Sequence, residues 1–368
     1  MRLLYIIFFY IIFSPFLTLA QEQQQKENDV IILGQAVYDT IFKTTERELL
    51  PFVQAQEMYI GDSRKVSYNV IQELEQSFVP IMTAPGGSAA NMAYALGVLD
   101  AKVGFYSVSS TDAWGTEFVK SLTNVGVKDF TRSIENADQD DSKTISRVLV
   151  FITPTNAERT MFAYDGISTD FNKVEFDFSE VQNYKVAYIE GYIFSDLNKK
   201  FIFNFIKFAK SLGLKIAFSP SSTHLINSYR NDFIKIANQS DILFTRPAEI
   251  SALFDGAESE HSLKKLAAKI NTIVMTMGEE GAVIVQGAKR ITIPPMIQDK
   301  KNIIDTTGAG DGFAAGFLYG YTHGYDIENS GKLGAYIAAA ALKQLSARPS
   351  KEMIQKSMSE FLNSTKVQ

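Results

Sequence analysis

A glycine-rich turn beside an acidic residue is the first feature of the sequence that could carry out chemistry. Residues 303–321 read IIDTTGAGDGFAAGFLYGY, which places Gly308, Ala309 and Gly310 directly before Asp311. Their backbone N–H groups can approach an anion closely, and a helix predicted over 312–321 would point its positive end at the same anion. Such a turn could stabilise a phosphoryl group in transfer while Asp311 accepts a proton from the attacking hydroxyl. A helix that packs closely through small residues would also explain the turn.

Two other glycine motifs do not fit the chain. The dinucleotide fingerprint GxGxxG would need glycine where Phe313 stands, and it normally follows the first strand of a domain. The Walker A loop GxxxxGK[ST] would need glycine at Asp326 and serine or threonine at Leu333. The sequence therefore argues against a dehydrogenase and against a P-loop protein.

The composition narrows the chemistry further. Of the 368 residues, 46% are hydrophobic and 21% are charged, which is ordinary for a globular protein with a large core. The absence of cysteine excludes disulfide bonds, thiolate metal sites and a cysteine nucleophile. The three histidines, His224, His261 and His323, lack the spacing of metal ligands. A net charge of −5 without a long basic run argues against nucleic-acid binding.

The N-terminus resembles a targeting segment. After Arg2, residues 3–19 are almost wholly apolar, and small residues at Thr18 and Ala20 precede the polar stretch QEQQQKEN. This layout is typical of a secretory signal, and the run is also close to the shortest that can span a membrane as an uncleaved anchor. A start site further downstream would make the segment an artefact. We divide the chain into a signal-like or anchor segment at 1–20, a polar linker at 21–28 and a folded domain at 29–368.

Apolar runs and amphipathic stretches alternate along the folded domain. The apolar runs predict strands at 30–33, 101–109, 147–153, 185–194, 215–219, 241–245 and 272–278, and helices are predicted between several of them, at 198–213 and 230–239. This alternation predicts an α/β fold in which helices cover a mostly parallel sheet. Residues near 40–80 and 140–168 interrupt it, and we predict that they form a small lid over a cleft. Ordinary surface loops and helices would also account for them.

Two motifs then give the chain a specific resemblance. DTTGAGDGFAAGF is similar to the C-terminal signature of the ribokinase-like (PfkB) family of carbohydrate and nucleoside kinases, and APGGSAANMAYALGVLDAKVGFYSVSSTDAWG resembles its N-terminal signature. The likeness is greatest with the adenosine kinase branch, which has counterparts of ERTMFAYDGIS, AYIEGYIF, SDILFTRPAEI and the closing SARP. It implies a three-layer α/β core with a mostly parallel central sheet, a small β-rich lid, and transfer of the γ-phosphoryl group of ATP to a primary hydroxyl.

The resemblance assigns the residues of the acceptor side. Asp311 resembles the catalytic base of the family, and Gly308, Ala309 and Gly310 resemble its anion hole. Asp39 resembles the acid that binds two adjacent sugar hydroxyls, a geometry that suits the two oxygens of a carboxylate.

Three further residues, Gly86, Gly87 and Asn91, resemble the glycine pair and the amide that line the same pocket. From the residues alone, we would favour Asp39 as a turn residue at a strand end and Asn91 as part of the polar face of a helix.

The resemblance also assigns the nucleotide side. Thr276, Gly278 and Gly281, in VMTMGEEGAVIV, match positions against which ATP lies. TRPAEI resembles the NxxE stretch of the family, in which the glutamate, here Glu249, organises magnesium-bound water. The chain has Arg246 in place of the asparagine, and this residue could contact phosphate through its planar guanidinium or be a surface charge. Arg159, in ERTM, corresponds to an arginine on the lid side that approaches the phosphates.

We therefore expect a kinase that uses ATP and Mg²⁺ to phosphorylate a ribose-containing small molecule, with a nucleoside favoured over a free sugar. Tyr192 and Phe162 could stack the base of a nucleoside. A kinase of ribose, fructose or a related free sugar is one alternative. A non-catalytic nucleoside-binding protein descended from the kinases is another, suggested by the apparent export signal and by Arg246.

Partners and location follow from the same chemistry. We expect a monomer or homodimer that binds no nucleic acid and contacts a membrane only if residues 3–19 stay uncleaved. Because ATP is abundant in the cytoplasm, we expect the protein there, and export or tethering through residues 1–20 is the alternative.

Overall fold

Strands and helices alternate along most of the chain. The computed structural model describes residues 26–135, 140–153, 159–256, 259–297 and 299–366. The strands in these residues are β1 (Asn28–Leu33), β2 (Val37–Lys43), β3 (Ser63–Lys65), β4 (Pro80–Gly86), β5 (Val103–Tyr106), β6 (Val108–Ser110), β7 (Lys128–Asp129), β8 (Arg132–Ile134), β9 (Ser146–Ile152), β10 (Arg159–Tyr164), β11 (Tyr184–Glu190), β12 (Lys215–Ser219), β13 (Ile242–Thr245), β14 (Thr272–Thr276), β15 (Ala282–Gln286) and β16 (Lys289–Ile293). The α-helices are α1 (Glu46–Ala55), α2 (Tyr68–Ser77), α3 (Ser88–Val98), α4 (Ala113–Thr123), α5 (Lys199–Ser211), α6 (Thr223–Ala237), α7 (Pro247–Leu253), α8 (Ser259–Ala267), α9 (Ala309–Thr322), α10 (Ile327–Ala341) and α11 (Lys351–Lys366).

A central sheet of nine strands runs in the spatial order β16-β15-β14-β13-β12-β11-β1-β5-β7. The strands from β14 to β7 are parallel, and β15 and β16 add an antiparallel hairpin at one edge. In β1, Val30 and Ile32 are buried on one face, and Ile31 and Leu33 are buried on the other. A strand buried on both faces must be apolar throughout, which explains the continuous run in the sequence.

Helices cover both faces of the central sheet. Residues of α3, α4, α9, α10 and α11 pack with Val30 and Ile32, and residues of α5, α6, α7 and α8 pack with Ile31 and Leu33. This arrangement confirms the predicted three-layer α/β fold.

A second sheet of five strands has the order β3-β10-β9-β2-β4 and forms the lid. One face packs against α1 and α2 through Phe42, Leu149, Phe151 and Phe162. The opposite face carries Asp39 and Arg159, which line a small pocket together with core residues 305, 307 and 347. The lid therefore has one face covered by its own helices and one face directed towards the core.

Some predicted elements differ in detail from the structure. The run 101–109 contains two strands, because β6 leaves the central sheet and pairs with β8. The run 185–194 ends as a strand at Glu190 and continues as a 3₁₀ turn at Gly191–Ile193. The irregular segment 40–80 contains α1 and α2, and strands β2 and β4 of the lid extend beyond it to residues 37 and 86.

Parts of the predicted organisation lie outside the described residues. These parts are the segment 1–20, positions 21–25 of the linker and positions 154–158 of the second lid segment. Within the described part of the chain, no helix has the length and apolar character needed to cross a membrane.

Candidate active site

The glycine turn forms the N-terminus of α9. Gly308 precedes the helix with φ 78°, a left-handed backbone conformation that favours glycine. A Cβ at this position would also lie 2.2 Å from the carbonyl oxygen of Ala347. Gly310 is exposed, and no described atom lies within 4 Å of the position that its Cβ would take. Because the N–H groups of a first helical turn have no partner within the helix, the turn offers donors to an anion.

Asp311, in the first turn of α9, is held by two residues of α3. Ser88 Oγ donates a hydrogen bond to Oδ1 at 2.7 Å, and Asn91 Nδ2 donates one to Oδ2 at 2.9 Å. Burial raises the pKa of Asp311, whereas these two hydrogen bonds and the charge of Arg348 oppose the rise. A carboxylate that is fixed in place and has a raised pKa is suited to accept a proton.

Asp39, in β2 of the lid, lies against Gly86 at the end of β4. A Cβ at Gly86 would lie 2.0 Å from Asp39 Oδ2, so glycine leaves the room that the carboxylate needs. Burial raises the pKa of Asp39 to about 7, with Asp311 adding to the rise and Arg348 and Arg159 opposing it. The structure therefore brings Asp39 of the lid and Asp311 of the core close enough for their charges to interact.

A buried acid that sequence reasoning missed fixes the start of α3. The helix begins after Gly87, which has φ 88°. Glu190, at the end of β11, accepts hydrogen bonds from the backbone N–H groups of Gln35 at 2.8 Å and Ala89 at 2.9 Å. Glu190 is 1% exposed, and burial raises its pKa to about 7. Its position as the single acid in the apolar run AYIEGYIF was the signal in the sequence.

Arg348 is a second residue that sequence reasoning missed. Its Nε donates a hydrogen bond to Asn91 Oδ1 at 3.0 Å, and its terminal nitrogens donate to Ser121 Oγ at 2.7 Å and to the Gly86 carbonyl oxygen at 3.1 Å. The guanidinium thus joins the two residues that contact Asp311 and Asp39. The closing SARP is part of the resemblance, which does not assign a role to its arginine.

Arg159 begins β10 and contacts the segment before the glycine turn. Its guanidinium forms an ion pair with Asp305, whose side chain is fully buried. Asp305 also accepts a hydrogen bond from the backbone N–H of Thr307 at 2.6 Å. Arg159 therefore connects the lid to the chain that leads into the glycine turn.

One large open cleft, with a volume of about 1360 Å³, joins the glycine turn to the residues predicted for the nucleotide side. The hairpin between β14 and β15 forms part of its wall, and Gly278 and Gly281 have φ 61° and 83° in the connecting turn. The predicted residues that line this cleft are Thr276, Gly278, Gly281, Arg246, Glu249, Tyr192, Gly308, Ala309, Gly310 and Asp311. The cleft exceeds the roughly 300–1,000 Å³ of a typical small-molecule site, so it has room for two ligands side by side.

Arg246 and Glu249 form an ion pair at the N-terminus of α7. Glu249 Oε1 accepts hydrogen bonds from Arg246 Nε at 3.0 Å and from a terminal nitrogen at 2.7 Å, and Oε2 accepts one from the Arg246 backbone N–H at 3.1 Å. The Glu249 side chain is 3% exposed, whereas that of Arg246 is 59% exposed. The exposed part of the guanidinium faces the cleft, and the buried carboxylate holds the other part in place.

This pair bears on the magnesium site that the resemblance implies. Glu249 Oε1 accepts two hydrogen bonds from Arg246 and Oε2 accepts one, so Oε2 keeps a lone pair that can accept a hydrogen bond from metal-bound water. Among the described residues, no group of three acidic or histidine side chains could hold a metal ion. The predicted role of Glu249, which acts on magnesium through bound water and not as a direct ligand, stays a prediction.

The two aromatic residues predicted to stack a base differ in position. Tyr192 lies in the 3₁₀ turn after β11, is 41% exposed and lines the cleft. Phe162 is 0% exposed and packs against Phe151 beneath the lid helices, so the prediction for Phe162 is wrong. Because side chains alternate along a strand, Phe162 faces away from the side of β10 that carries Arg159.

Similarity to known proteins extends over nearly the whole described chain. The structure of adenosine kinase from Sinorhizobium meliloti is 27% identical to this chain, matches 90% of this chain and 99% of its own, and superposes with a TM-score of 0.80. A probable sugar kinase from Rhizobium etli is also 27% identical, covers 92% and 100%, and has a TM-score of 0.82. The 5-dehydro-2-deoxygluconokinase of Shouchella clausii is 25% identical over 336 residues, which are 89% of this chain and 93% of the relative.

A match over most of the chain identifies the family to which the protein belongs. The pattern of the pfkB family carbohydrate kinases fits residues 81–353, a span that contains the start of α3, the cleft wall at β14 and β15, the glycine turn and Arg348. Membership implies ATP as the phosphoryl donor, and the relatives include kinases of nucleosides and of sugars. The chain is thus an enzyme that phosphorylates a sugar or a nucleoside, and it belongs to the pfkB family of carbohydrate kinases.

Proposed function

We propose that the protein transfers the γ-phosphoryl group of ATP to the primary hydroxyl of a ribose-containing small molecule, a nucleoside such as adenosine. The observation that carries this proposal is the position of Asp311. It lies at the N-terminus of α9 beside the glycine turn, bonded to Ser88 and Asn91, with Asp39 of the lid close by. The base and the anion site thus adjoin each other, and the carboxylate that could bind sugar hydroxyls is near enough to interact with the base.

The residues of the chain suit the bond changes of phosphoryl transfer. The primary hydroxyl oxygen forms a bond to the γ-phosphorus, and the bond from that phosphorus to the β–γ bridging oxygen breaks to release ADP. Asp311 takes the proton of the hydroxyl, a contribution of about 10²–10⁴ to the rate. The backbone N–H groups at 308–310 stabilise the charge that spreads over the transferring group.

Asp39 and Tyr192 support a nucleoside as the acceptor. The two oxygens of the Asp39 carboxylate can accept hydrogen bonds from two adjacent hydroxyls, which a ribose ring presents at its 2′ and 3′ positions. Tyr192 presents a partly exposed ring to the cleft that also contains Asp311, and stacking of a base on such a ring contributes roughly 1–3 kcal/mol. The similarity to the adenosine kinase of Sinorhizobium meliloti points the same way.

On the donor side, we propose that ATP lies against Thr276, Gly278 and Gly281, with its phosphates directed to the glycine turn. Arg246 supplies an exposed positive charge in this part of the cleft. Mg²⁺, as the companion of ATP, would neutralise part of the phosphate charge. The lid-side Arg159 holds Asp305 beside the turn, so lid position and turn geometry are connected.

A substrate screen tests the proposal. The full chain is incubated with ATP and, in parallel, with ribonucleosides, 2′-deoxyribonucleosides, ribose and fructose, and ADP formation and phosphorylated products are measured. We expect kcat/KM to be highest for a ribonucleoside and much lower for its 2′-deoxy analogue. A higher kcat/KM for a free sugar would identify that sugar, and not a nucleoside, as the substrate. Binding of nucleosides without any ADP formation would favour the non-catalytic binding protein.

We also propose that the catalytic domain faces the cytoplasm, because ATP is abundant there. Mass spectrometry of the native protein tests this location. A mature N-terminus at Gln21 in an extracytoplasmic fraction would contradict it.

A further inference from the structure

The guanidinium of Arg348 is fixed on all sides at the back of the acceptor site. Its three hydrogen bonds reach α3 at Asn91, α4 at Ser121 and the end of β4 at Gly86. The rings of Tyr94 and Phe118 lie 5.6 and 5.9 Å from its central carbon. A side chain bound in this way is held in one position and does not reach into the cleft itself.

The contact with Asn91 determines which way that amide points. Arg348 has only donors, so the amide group must present its oxygen to Nε. The amide nitrogen is then left on the opposite side, where it donates to Asp311 Oδ2 at 2.9 Å. With the amide reversed, its oxygen would face a carboxylate and its N–H₂ group would face a guanidinium, and both contacts would be repulsive. Asn91 is 5% exposed, so water cannot readily compensate for such a reversal.

We propose that Arg348 is a positioning residue for phosphoryl transfer: it fixes the amide orientation of Asn91 and thereby presents a hydrogen-bond donor to the carboxylate of Asp311. The same side chain binds the Gly86 carbonyl oxygen, so it also holds the backbone against which Asp39 lies. This inference rests on the proposed function, because it assumes that Asp311 is the base.

The positive charge of Arg348 also favours the ionised form of the Asp311 carboxyl group. It lowers the pKa of Asp311 and of Asp39 against the effect of burial. The other charged or titratable groups that face Asp311 are Arg246, Glu190, Tyr188 and Tyr192, and Arg159 faces Asp39. Tyr38 and Tyr94 face Arg348. Removal of Arg348 therefore raises both carboxyl pKa values, because a positive charge that opposes the effect of burial at each carboxyl group is lost.

Two variants separate orientation from charge. Arg348→Lys keeps the positive charge but cannot donate to Asn91, Ser121 and Gly86 together, whereas Arg348→Gln removes the charge as well. We expect kcat to fall by about 10- to 100-fold in both variants, the usual consequence of a misplaced catalytic group. The acidic limb of the kcat profile moves to higher pH only in Arg348→Gln. Lys351→Gln is the matched control, because Lys351 lies in the same segment and bonds only to the Asn124 carbonyl oxygen, and its kcat should be unchanged.

A double-mutant cycle with Asn91→Ala tests the path of the effect. If Arg348 acts through Asn91, Arg348→Lys lowers kcat little further once Asn91 is alanine. Full additivity, together with an unmoved acidic limb in Arg348→Gln, would overturn the proposal and leave Arg348 as a structural residue. Thermal unfolding of each variant checks that the fold is retained.

A measurement without turnover distinguishes this inference from the proposed function. Titration of the Asp311 carboxyl carbon by NMR, assigned with Asp311→Asn, should give a higher pKa in Arg348→Gln than in the unaltered chain. An identical pKa in both proteins contradicts the inference even if the kinase is active. Conversely, the unaltered chain could be inactive while the Asp311 pKa is higher in Arg348→Gln than in that chain. This result contradicts the proposed function but still supports the positioning of Asp311 by Arg348.

Discussion

Replacement of Asp39 by asparagine should stabilise the protein at alkaline pH and weaken substrate binding at the same time. The pKa of Asp39 is raised from 3.8 to about 7, so the folded state binds this proton more tightly than the unfolded state does. Ionisation of Asp39 therefore costs stability, and the cost grows as pH rises from the unfolded value to the folded one. The full shift of about three units corresponds to at most ~4 kcal/mol. Because Asp39 is only partly buried, we expect about 1–2 kcal/mol.

The assay is urea unfolding of Asp39→Asn and of the unaltered chain at pH 5 and pH 8. The variant should be more stable at pH 8, and the difference should be smaller at pH 5, because the cost of ionising Asp39 grows between its unfolded pKa of 3.8 and its folded pKa of about 7. Asp141→Asn, at an exposed aspartate in the second lid segment, should show no such pattern. At pH 8, nucleoside affinity of Asp39→Asn should fall by about 10- to 100-fold, because a charged acceptor of hydroxyls is lost. A destabilised variant with unchanged affinity would refute this reasoning and make Asp39 a turn residue.

Two further predictions concern the glycine turn and the donor side. Gly308→Ala should destabilise the fold by more than about 1 kcal/mol in urea unfolding, because Gly308 has φ 78° and its Cβ would meet Ala347, whereas Gly310→Ala should keep the stability and lose turnover. Equal stability of the two variants would contradict the role of Gly308. Arg246→Asn should raise the KM for ATP about tenfold and make the rate more dependent on free Mg²⁺, because it removes an exposed cation and frees Glu249. An unchanged KM at every Mg²⁺ concentration would show that Arg246 is a surface charge.

Much of the core was predictable because strands that are buried on both faces consist of continuous runs of apolar residues. The run Val30 to Leu33 is apolar throughout since β1 is covered on both faces, and the same logic located β11 to β14. The glycine turn was predictable from residue size alone, because a left-handed N-cap packed against Ala347 tolerates little else than Gly308. These features depend on neighbours that share one strand or one turn.

Features that join distant segments were not predictable in this way. Arg348 lies 257 positions from Asn91, and Glu190 lies 101 positions from Ala89, so no local pattern reveals either contact. The sequence of lid segment 40–80 shows no clear pattern of strands or helices, because α1 and α2 are short and bury only one face. The error over Phe162 was avoidable, because it lies three positions from Arg159 in one strand and must point to the opposite face.

The measurement that tests the central claim most directly is the position of the phosphate in the product. The full chain and Asp311→Asn are incubated with ATP and adenosine, and the products are followed by ³¹P NMR with coupling to protons. We predict a phosphomonoester split by the two protons of the 5′ methylene group, formed by the unaltered chain at a rate about 10²–10⁴ higher than by Asp311→Asn. A phosphate on the 2′ or 3′ oxygen, or equal rates for the two proteins, would contradict the assignment of Asp311 as the base for a primary hydroxyl.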